Sequence, residues 1–414
     1  MKNFEYRSLT KIIFGKDQIS NLERELEEFK VRKLLLVYGM SSIKNLGIYE
    51  QVIFICNKLD IEVYEEGGVR PNPDMSSVRS GIETCRTNDI DFVLAAGGGS
   101  AIDCAKAIAF GTKYDGDPWD VYLLKDKATS ALPLGVIITL AATGTETNGN
   151  SVISNDETGE KRSVAYPFSV PKFAIIDPSY TLSVDRYHVI AGSMDIMMHV
   201  FEQFFSNTLR TETSDYMSMG VIKSVIENTS RYLAGEDGYE TRANLSWAST
   251  IGLNWILGVD KVGDWATHRL SYPITKEYGI THGYALALIF TSWIRVALKY
   301  NSITMIPRLE IIGDMIFDGT DYSLVPDKLD ELFSEWGAKV KLSEELKDVT
   351  LEEIDKLIEN ALALGSVGTV IEIDKEKALE IFKNSLGWWT YVWQKVFRIT
   401  FIFIWRGLRC WSTT

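Results

Sequence analysis

Histidine and cysteine are both scarce in this 414-residue chain, with four of each. The cysteines (Cys56, Cys85, Cys104 and Cys410) form no CxxC pair, which excludes a disulfide framework and fits a reducing cytoplasm. Positive charge is also in deficit. Lys and Arg number 43 against 56 Asp and Glu, a net charge of −13, so no basic surplus exists to neutralise phosphates and nucleic acid is excluded as a partner. No run of 18 or more apolar residues is present, and no transmembrane helix is expected. Met1-Lys-Asn-Phe leads straight into mixed polar sequence, so no signal peptide is expected either. The nucleophile motif GxSxG is absent. What remains is a chain with 46% hydrophobic and 24% charged residues, which is globular composition, at a length that supports two domains with sizeable cores.

The few histidines are not scattered: three of the four fall between Asp195 and His282. Ala191–Phe205 (AGSMDIMMHVFEQFF) has the apolar spacing of a helix, with Gly192 and Ser193 read as its start. Asp195 and His199 are four apart, so their side chains rise from one face, about 5–6 Å apart at Cβ. His268 follows in DWATHRL and His282 in GITHG. One carboxylate and three imidazoles suit a divalent transition metal, Fe(II) or Zn(II). The competing reading, four ordinary polar core residues, suits any one histidine taken alone better than it suits the group. Glu202, three residues past His199, reads equally as a carboxylate that orients a ligand or as a surface charge.

Residues 1–184 alternate short apolar runs with helical stretches. Strands are expected at Leu34–Tyr38, Glu62–Tyr64, Asp91–Ala96, Val136–Leu140 and Phe173–Ile176, with a helix over Tyr49–Lys58. That alternation implies a parallel α/β sheet whose ligand sits beyond the carboxyl ends of the strands. Ala95–Lys106 (AAGGGSAIDCAK) supplies three glycines between strand and helix. There the backbone approaches a pyrophosphate closely, and the free N–H groups of the helix starting near Ser100 face it. It is not the GxGxxG fingerprint. Tyr38–Ser42 (YGMSS) carries no acidic residue for a ribose 2′-hydroxyl, and Lys44 follows, so a 2′-phosphate is admitted; Glu65 or Glu66 of the next strand could still supply the acid. Leu140–Asn150 (LAATGTETNGN) reads alone as a polar turn, but its place after a strand also suits wrapping a cofactor. Asn155–Lys161 has hairpin-turn composition and delivers Lys161 nearby.

From about Asp185 the pattern is helical, with apolar residues at three- and four-residue spacing in Arg210–Leu233, Tyr239–Leu257, Tyr284–Lys299 and Ser302–Phe317. Thr350–Leu364 and Asp374–Leu386 read as closing amphipathic helices with Thr350 and Asp374 as N-caps.

These motifs together resemble the iron-dependent, or group III, alcohol dehydrogenases, in particular the NADPH-preferring butanol dehydrogenase and aldehyde reductase branch. The matching stretches include TKIIFGKDQI, YGMSSIKNLGIYEQV, RPNPD, AAGGGSAIDCAKAIA, TLAATGTETNGNSVIS, IIDPSYT, AGSMDIMMHVFEQ, DWATHR and YGITHGYALAL, in the family's order over about residues 1–386. The resemblance implies a dehydroquinate synthase-like architecture: an α/β dinucleotide-binding domain (1–184), an all-helical metal and substrate domain (185–386), and the active site in the cleft between them. It implies metal ligation by Asp195, His199, His268 and His282. It carries cofactor contacts onto Gly39, Ser41, Ser42, Asn72, Gly97, Gly98, Ser100, Asp103, Thr139 and Lys161. Met40 stands where NAD-specific members have Asp, which favours NADP(H) over NAD(H). Where many members have a second His facing the nicotinamide, this chain has Tyr272, counted with the catalytic set; a phenol is a poorer proton carrier near neutral pH.

The expected activity is reversible hydride transfer between NADP(H) and a small primary alcohol or aldehyde such as butanol or butanal, in a cytoplasmic homodimer. The alternatives are a dehydroquinate synthase-like lyase, which needs more Arg and Lys than Lys261 and Arg269 supply, and an inactive homologue. Residues 387–414 depart from the family. Five of the 11 tryptophans sit there in a basic segment, which reads as a membrane-surface helix or, preferably, as a frame-shifted tail without function.

Overall fold

The computed structural model describes residues 1–346 and 349–387; the Trp-rich tail beyond Gly387 lies outside them. Packing divides the described residues into two compact units, 1–264 with 272–283, and 265–271 with the described residues from 284 to 387.

Eight strands run through the first unit: β1 (Lys11–Phe14), β2 (Lys33–Tyr38), β3 (Glu62–Glu66), β4 (Phe92–Gly97), β5 (Leu134–Ile138), β6 (Asn150–Asn155), β7 (Glu160–Ala165) and β8 (Phe173–Ile176). Six form a parallel sheet in the order β1-β8-β5-β4-β2-β3. The inner strands are buried on both faces, which is why β2, β4 and β5 read as continuous apolar runs. Alternate residues serve opposite cores: Leu35 and Val37 pack with Ile102, Ile108 and Phe110 on one face, Leu34 and Leu36 with Val52 and Ile55 on the other. Covering helices include α1 (Ile48–Lys58), α2 (Met75–Thr87) and α3 (Gly99–Thr112).

The strands depart from expectation in places, and β3 runs two residues past Tyr64. β5 begins and ends two residues earlier than its apolar run suggests. Its ladder with β4 stops at Gly97↔Ile138, and the Thr139 N–H, donating to the Gly97 carbonyl at 3.0 Å, is the last bond before the chain turns away. β1 was not read as a strand at all; it is held by β8, about 160 residues later in the chain. β6 and β7 pair antiparallel around the turn expected near Asn155–Lys161.

The helical part starts with α4 (Arg186–Phe204), α5 (Glu212–Leu233) and α6 (Tyr239–Gly252). α4 begins five residues before Ala191, because Asp185 caps it by accepting from the His188 N–H at 3.0 Å. Gly192 and Ser193 are therefore interior, not at the helix start. α7 (Ala266–Tyr278) and α8 (His282–Tyr300) follow. The second unit is helical, with Ser302–Ile316, Val325–Glu335, Leu351–Ala361 and Lys375–Ser385 around buried Trp293, Leu309, Phe333, Trp336, Ile358 and Phe382. Thr350 and Asp374 cap their helices as read from sequence, Thr350 within a full capping box with Glu353.

Candidate active site

α4 is buried along nearly its whole length, so Asp195 and His199 project into protein, not solvent. Two glycines set how closely other segments approach it. A Cβ on Gly192 would lie 2.4 Å from the Ala141 carbonyl oxygen, so the loop after β5 rests directly on the α4 backbone. A Cβ on Gly283 would lie 2.0 Å from the Ala191 carbonyl oxygen, so the backbone at Gly283 rests on it too. That seating carries His282 to α4. The Nε2 atoms of His199 and His282 each stand 3.8 Å from Asp195 Oδ1.

A separation of 3.8 Å is too long for a hydrogen bond. It is close to the roughly 3.4 Å that separates two donors bound at about 2.1 Å to one tetrahedral ion. Asp195 Oδ1 is buried and accepts no hydrogen bond. Burial pushes the Asp195 carboxyl up, against the pull of His199 and Lys161. A buried carboxylate oxygen with no donor is costly unless a cation meets it. These residues fit a divalent metal.

His268 sits in the first turns of α7, buried, with its ring 5.2 Å from that of Trp265 and its carbonyl accepting from Ser271 Oγ at 2.9 Å. Tyr272 lies four residues on along the same helix, its ring 5.7 Å from the His282 ring. Glu202 is 1% exposed, which removes the surface-charge reading.

The dinucleotide side is built from neighbouring strand ends. The β2–β4 and β4–β5 registers bring Gly39, Gly97 and Thr139 out at one edge of the sheet. α3 starts at Gly99 with Gly98 as N-cap, and no side chain caps it, so its first N–H groups remain for an anion; Ser100 lies in its first turn. Ser41 and Ser42 open the short helical turn Ser42–Asn45. Lys161, on β7, donates to Asn72 Oδ1 at 2.8 Å, and Asn72 holds a left-handed φ of 57°. Burial pushes the Lys161 ammonium down to about 8, although Asp103 and Asp195 pull it up.

Asp103 has both carboxylate oxygens engaged, Oδ1 by Thr145 Oγ1 at 2.7 Å and Oδ2 by the Val152 N–H at 3.1 Å. One helical turn on, Lys106 is wholly buried and donates to the carbonyls of Thr145 (2.6 Å) and Asn150 (2.8 Å) and to Thr145 Oγ1 (2.6 Å). Together they fix the 145–150 loop, for which the sequence offered both a polar turn and a cofactor wrap. Sequence reasoning missed Lys106; the available signal was one lysine inside an otherwise small and apolar helix.

Both acidic residues of β3 accept hydrogen bonds from nearby hydroxyls. Glu65 accepts from the Tyr38 hydroxyl at 2.6 Å and the Tyr49 hydroxyl at 2.7 Å, and Glu66 accepts from Ser80 Oγ at 2.8 Å. Lys44 is exposed, with its ammonium 5.3 Å and 4.8 Å from the centroids of the Tyr38 and Tyr49 rings.

A parallel sheet with a glycine turn at its strand ends, followed by helices carrying a buried Asp–His cluster, is the architecture of dinucleotide- and metal-assisted enzymes of the dehydroquinate synthase-like type. The pattern of the family described as iron-containing alcohol dehydrogenase matches residues 10–178, and that of the Fe-containing alcohol dehydrogenase C-terminal domain matches residues 189–386. The chain belongs to the iron-containing alcohol dehydrogenase family. It is 40% identical over 394 residues to the probable NADH-dependent butanol dehydrogenase 1 of Bacillus subtilis, covering 93% of this chain and 100% of that protein. It is 34% identical over 292 residues to the NADPH-dependent aldehyde reductase YqhD of Escherichia coli, covering 70% and 74%. Among solved structures, the NADH-dependent butanol dehydrogenase A of Thermotoga maritima superposes with a TM-score of 0.87 at 34% identity, covering 92% of this chain and 98% of that one.

Proposed function

We propose that this chain catalyses reversible hydride transfer between NADP(H) and a small primary alcohol or its aldehyde, with Fe(II) or Zn(II) held by Asp195, His199, His268 and His282. The observation that carries this reading is Asp195 Oδ1, buried without a hydrogen-bond donor, with two imidazole nitrogens 3.8 Å away. When bound there, such an ion supplies Lewis-acid stabilisation of the substrate oxygen. The chain's own part is to orient and enclose. Gly97, Gly98 and Ser100 at the start of α3 receive the pyrophosphate. Gly39, Ser41, Ser42, Asn72, Thr139 and Lys161 line the rest of the cofactor's path, and Asp103 acts through the loop it anchors. Residues 1–184 carry the dinucleotide and 185–386 the metal and substrate.

The preference for NADPH rests on this chain's residues, because similar proteins carry names of both kinds. Met40 is 68% exposed where an acid would repel a 2′-phosphate, Lys44 is exposed nearby, and Glu65 is held by two phenols. The test is butanal-dependent oxidation of NADPH and of NADH by metal-stripped protein reloaded with Fe(II) or Zn(II). Absence of both activities sinks the reading, and phosphate release from a phosphorylated polyol acid would favour the lyase instead. Light scattering of the same preparation tests the expected homodimer.

A further inference from the structure

Lys161 has a demanding environment. The side chain is half-buried, and its one hydrogen bond to a side chain is from its ammonium to Asn72 Oδ1 at 2.8 Å. The opposite charges of Asp103 and Asp195 attract it, and Lys276 repels it. That single bond leaves the direction of the ammonium to be set by its other neighbours. The other neighbour that defines its position is the Tyr272 ring, whose centroid is 5.1 Å from Nζ. That is inside the range of about 6 Å over which the electron-rich face of an aromatic ring attracts a cation.

We propose that Tyr272 is a positioning residue for the cofactor, acting on Lys161 through the face of its ring and not through its hydroxyl. The inference rests on the reading of Lys161 as a cofactor contact. The ring is itself fixed, by α7 behind it and by the His282 ring 5.7 Å away at 39°. Lys161 is fixed from the other side by the β6–β7 ladder, in which it pairs with Ser154. The ammonium is thus held between a hairpin and a helix face, with Asn72 using one of its three donors and the rest available to the cofactor. A neutral ring suits this position. A protonated imidazole there would bring a second positive charge against Lys161.

The test is the dissociation constant of NADPH, measured by fluorescence titration of metal-loaded protein without aldehyde. Tyr272→Phe keeps the ring face and is expected to bind within about twofold of the parent. Tyr272→Leu, with Tyr272→Met as a second non-aromatic variant should the first not fold, is expected to bind about 2- to 30-fold more weakly, the range of a cation–ring contact. In a Lys161→Met background the Tyr272→Leu change is expected to have no further effect. Weak binding by Tyr272→Phe equal to that of Tyr272→Leu would assign the role to the hydroxyl and overturn the proposal. So would parent-like binding by both non-aromatic variants, or a loss that persists without Lys161. A parent that binds neither NADPH nor NADH would refute the functional reading itself, an outcome distinct from these.

Discussion

Gly283→Ala tests how the metal cluster is assembled. In an unobstructed helix, replacing glycine by alanine stabilises by about 0.5–1 kcal/mol. Here the new Cβ would lie 2.0 Å from the Ala191 carbonyl oxygen and 2.8 Å from its carbon, where ordinary contact begins at 3.4 Å. The obstacle is the backbone of α4, not a flexible side chain, so the backbone at Gly283 must retreat by roughly 1.4 Å. Overpacking of this kind costs about 1–3 kcal/mol, which outweighs the helix gain. His282 is the neighbouring residue and moves with it. Metal–ligand distances tolerate only about 0.2 Å, so on the proposed ligand set His282 is displaced and affinity falls about 10- to 100-fold. Equilibrium dialysis with Zn(II), followed by elemental analysis and thermal melts with and without the ion, reads both effects. Gly220→Ala is the control: nothing lies within 4 Å of its Cβ on α5, so it should gain stability and leave metal binding alone. Parent-like metal content and melting temperature in Gly283→Ala would refute the close approach of Gly283 to Ala191 as the device that places His282.

Asp195→Asn and His282→Ala should each lower bound metal and remove most activity while circular dichroism stays parent-like; unchanged metal content would refute the ligand assignment. Met40→Asp should move the kcat/KM ratio toward NADH by repelling the 2′-phosphate, and a parent that already favours NADH would contradict the cofactor reading. Lys106→Met should destabilise by about 2–4 kcal/mol, because it leaves the buried carbonyls of Thr145 and Asn150 without their donor. Burial holds the Lys106 ammonium down at about 8, below its ordinary 10.5. The unfolded chain therefore binds more protons between those values, and the native state gains stability as pH rises from about 8 to 10.5. Urea unfolding at pH 8 and 10 should show a smaller rise in Lys106→Met than in the parent; equal slopes would refute the shift.

Much of this protein is determined locally and was legible as sequence. A buried parallel strand is a short apolar run, and a phosphate-facing turn is glycine between strand and helix, so β2, β4 and α3 could be placed from residues 34–38 and 91–106. The Asp195–His199 spacing is a property of one helix and needs no partner to be read. Caps are equally local, which is why Thr350 and Asp374 were placed correctly. Asp185 obeys the same rule, but the small residues at 191–193 drew the start of α4 inward, since glycine in isolation signals an end and not a close contact. Tertiary structure alone decided the rest. Gly192 and Gly283 are required by backbones about 50 and 90 residues away, Ala141 and Ala191 respectively, and no periodicity records that. Glu65 was open to a ribose by its position on a strand, and only the fold shows it accepting from the hydroxyls of Tyr38 and Tyr49. The role of Lys106 exists only because the 145–150 loop folds over it. β1 became a strand only by pairing with β8. The physical reason is common to all four: hydrogen bonding and steric exclusion between residues far apart in sequence depend on which surfaces meet, and the pattern along a single element specifies only which of its faces is apolar.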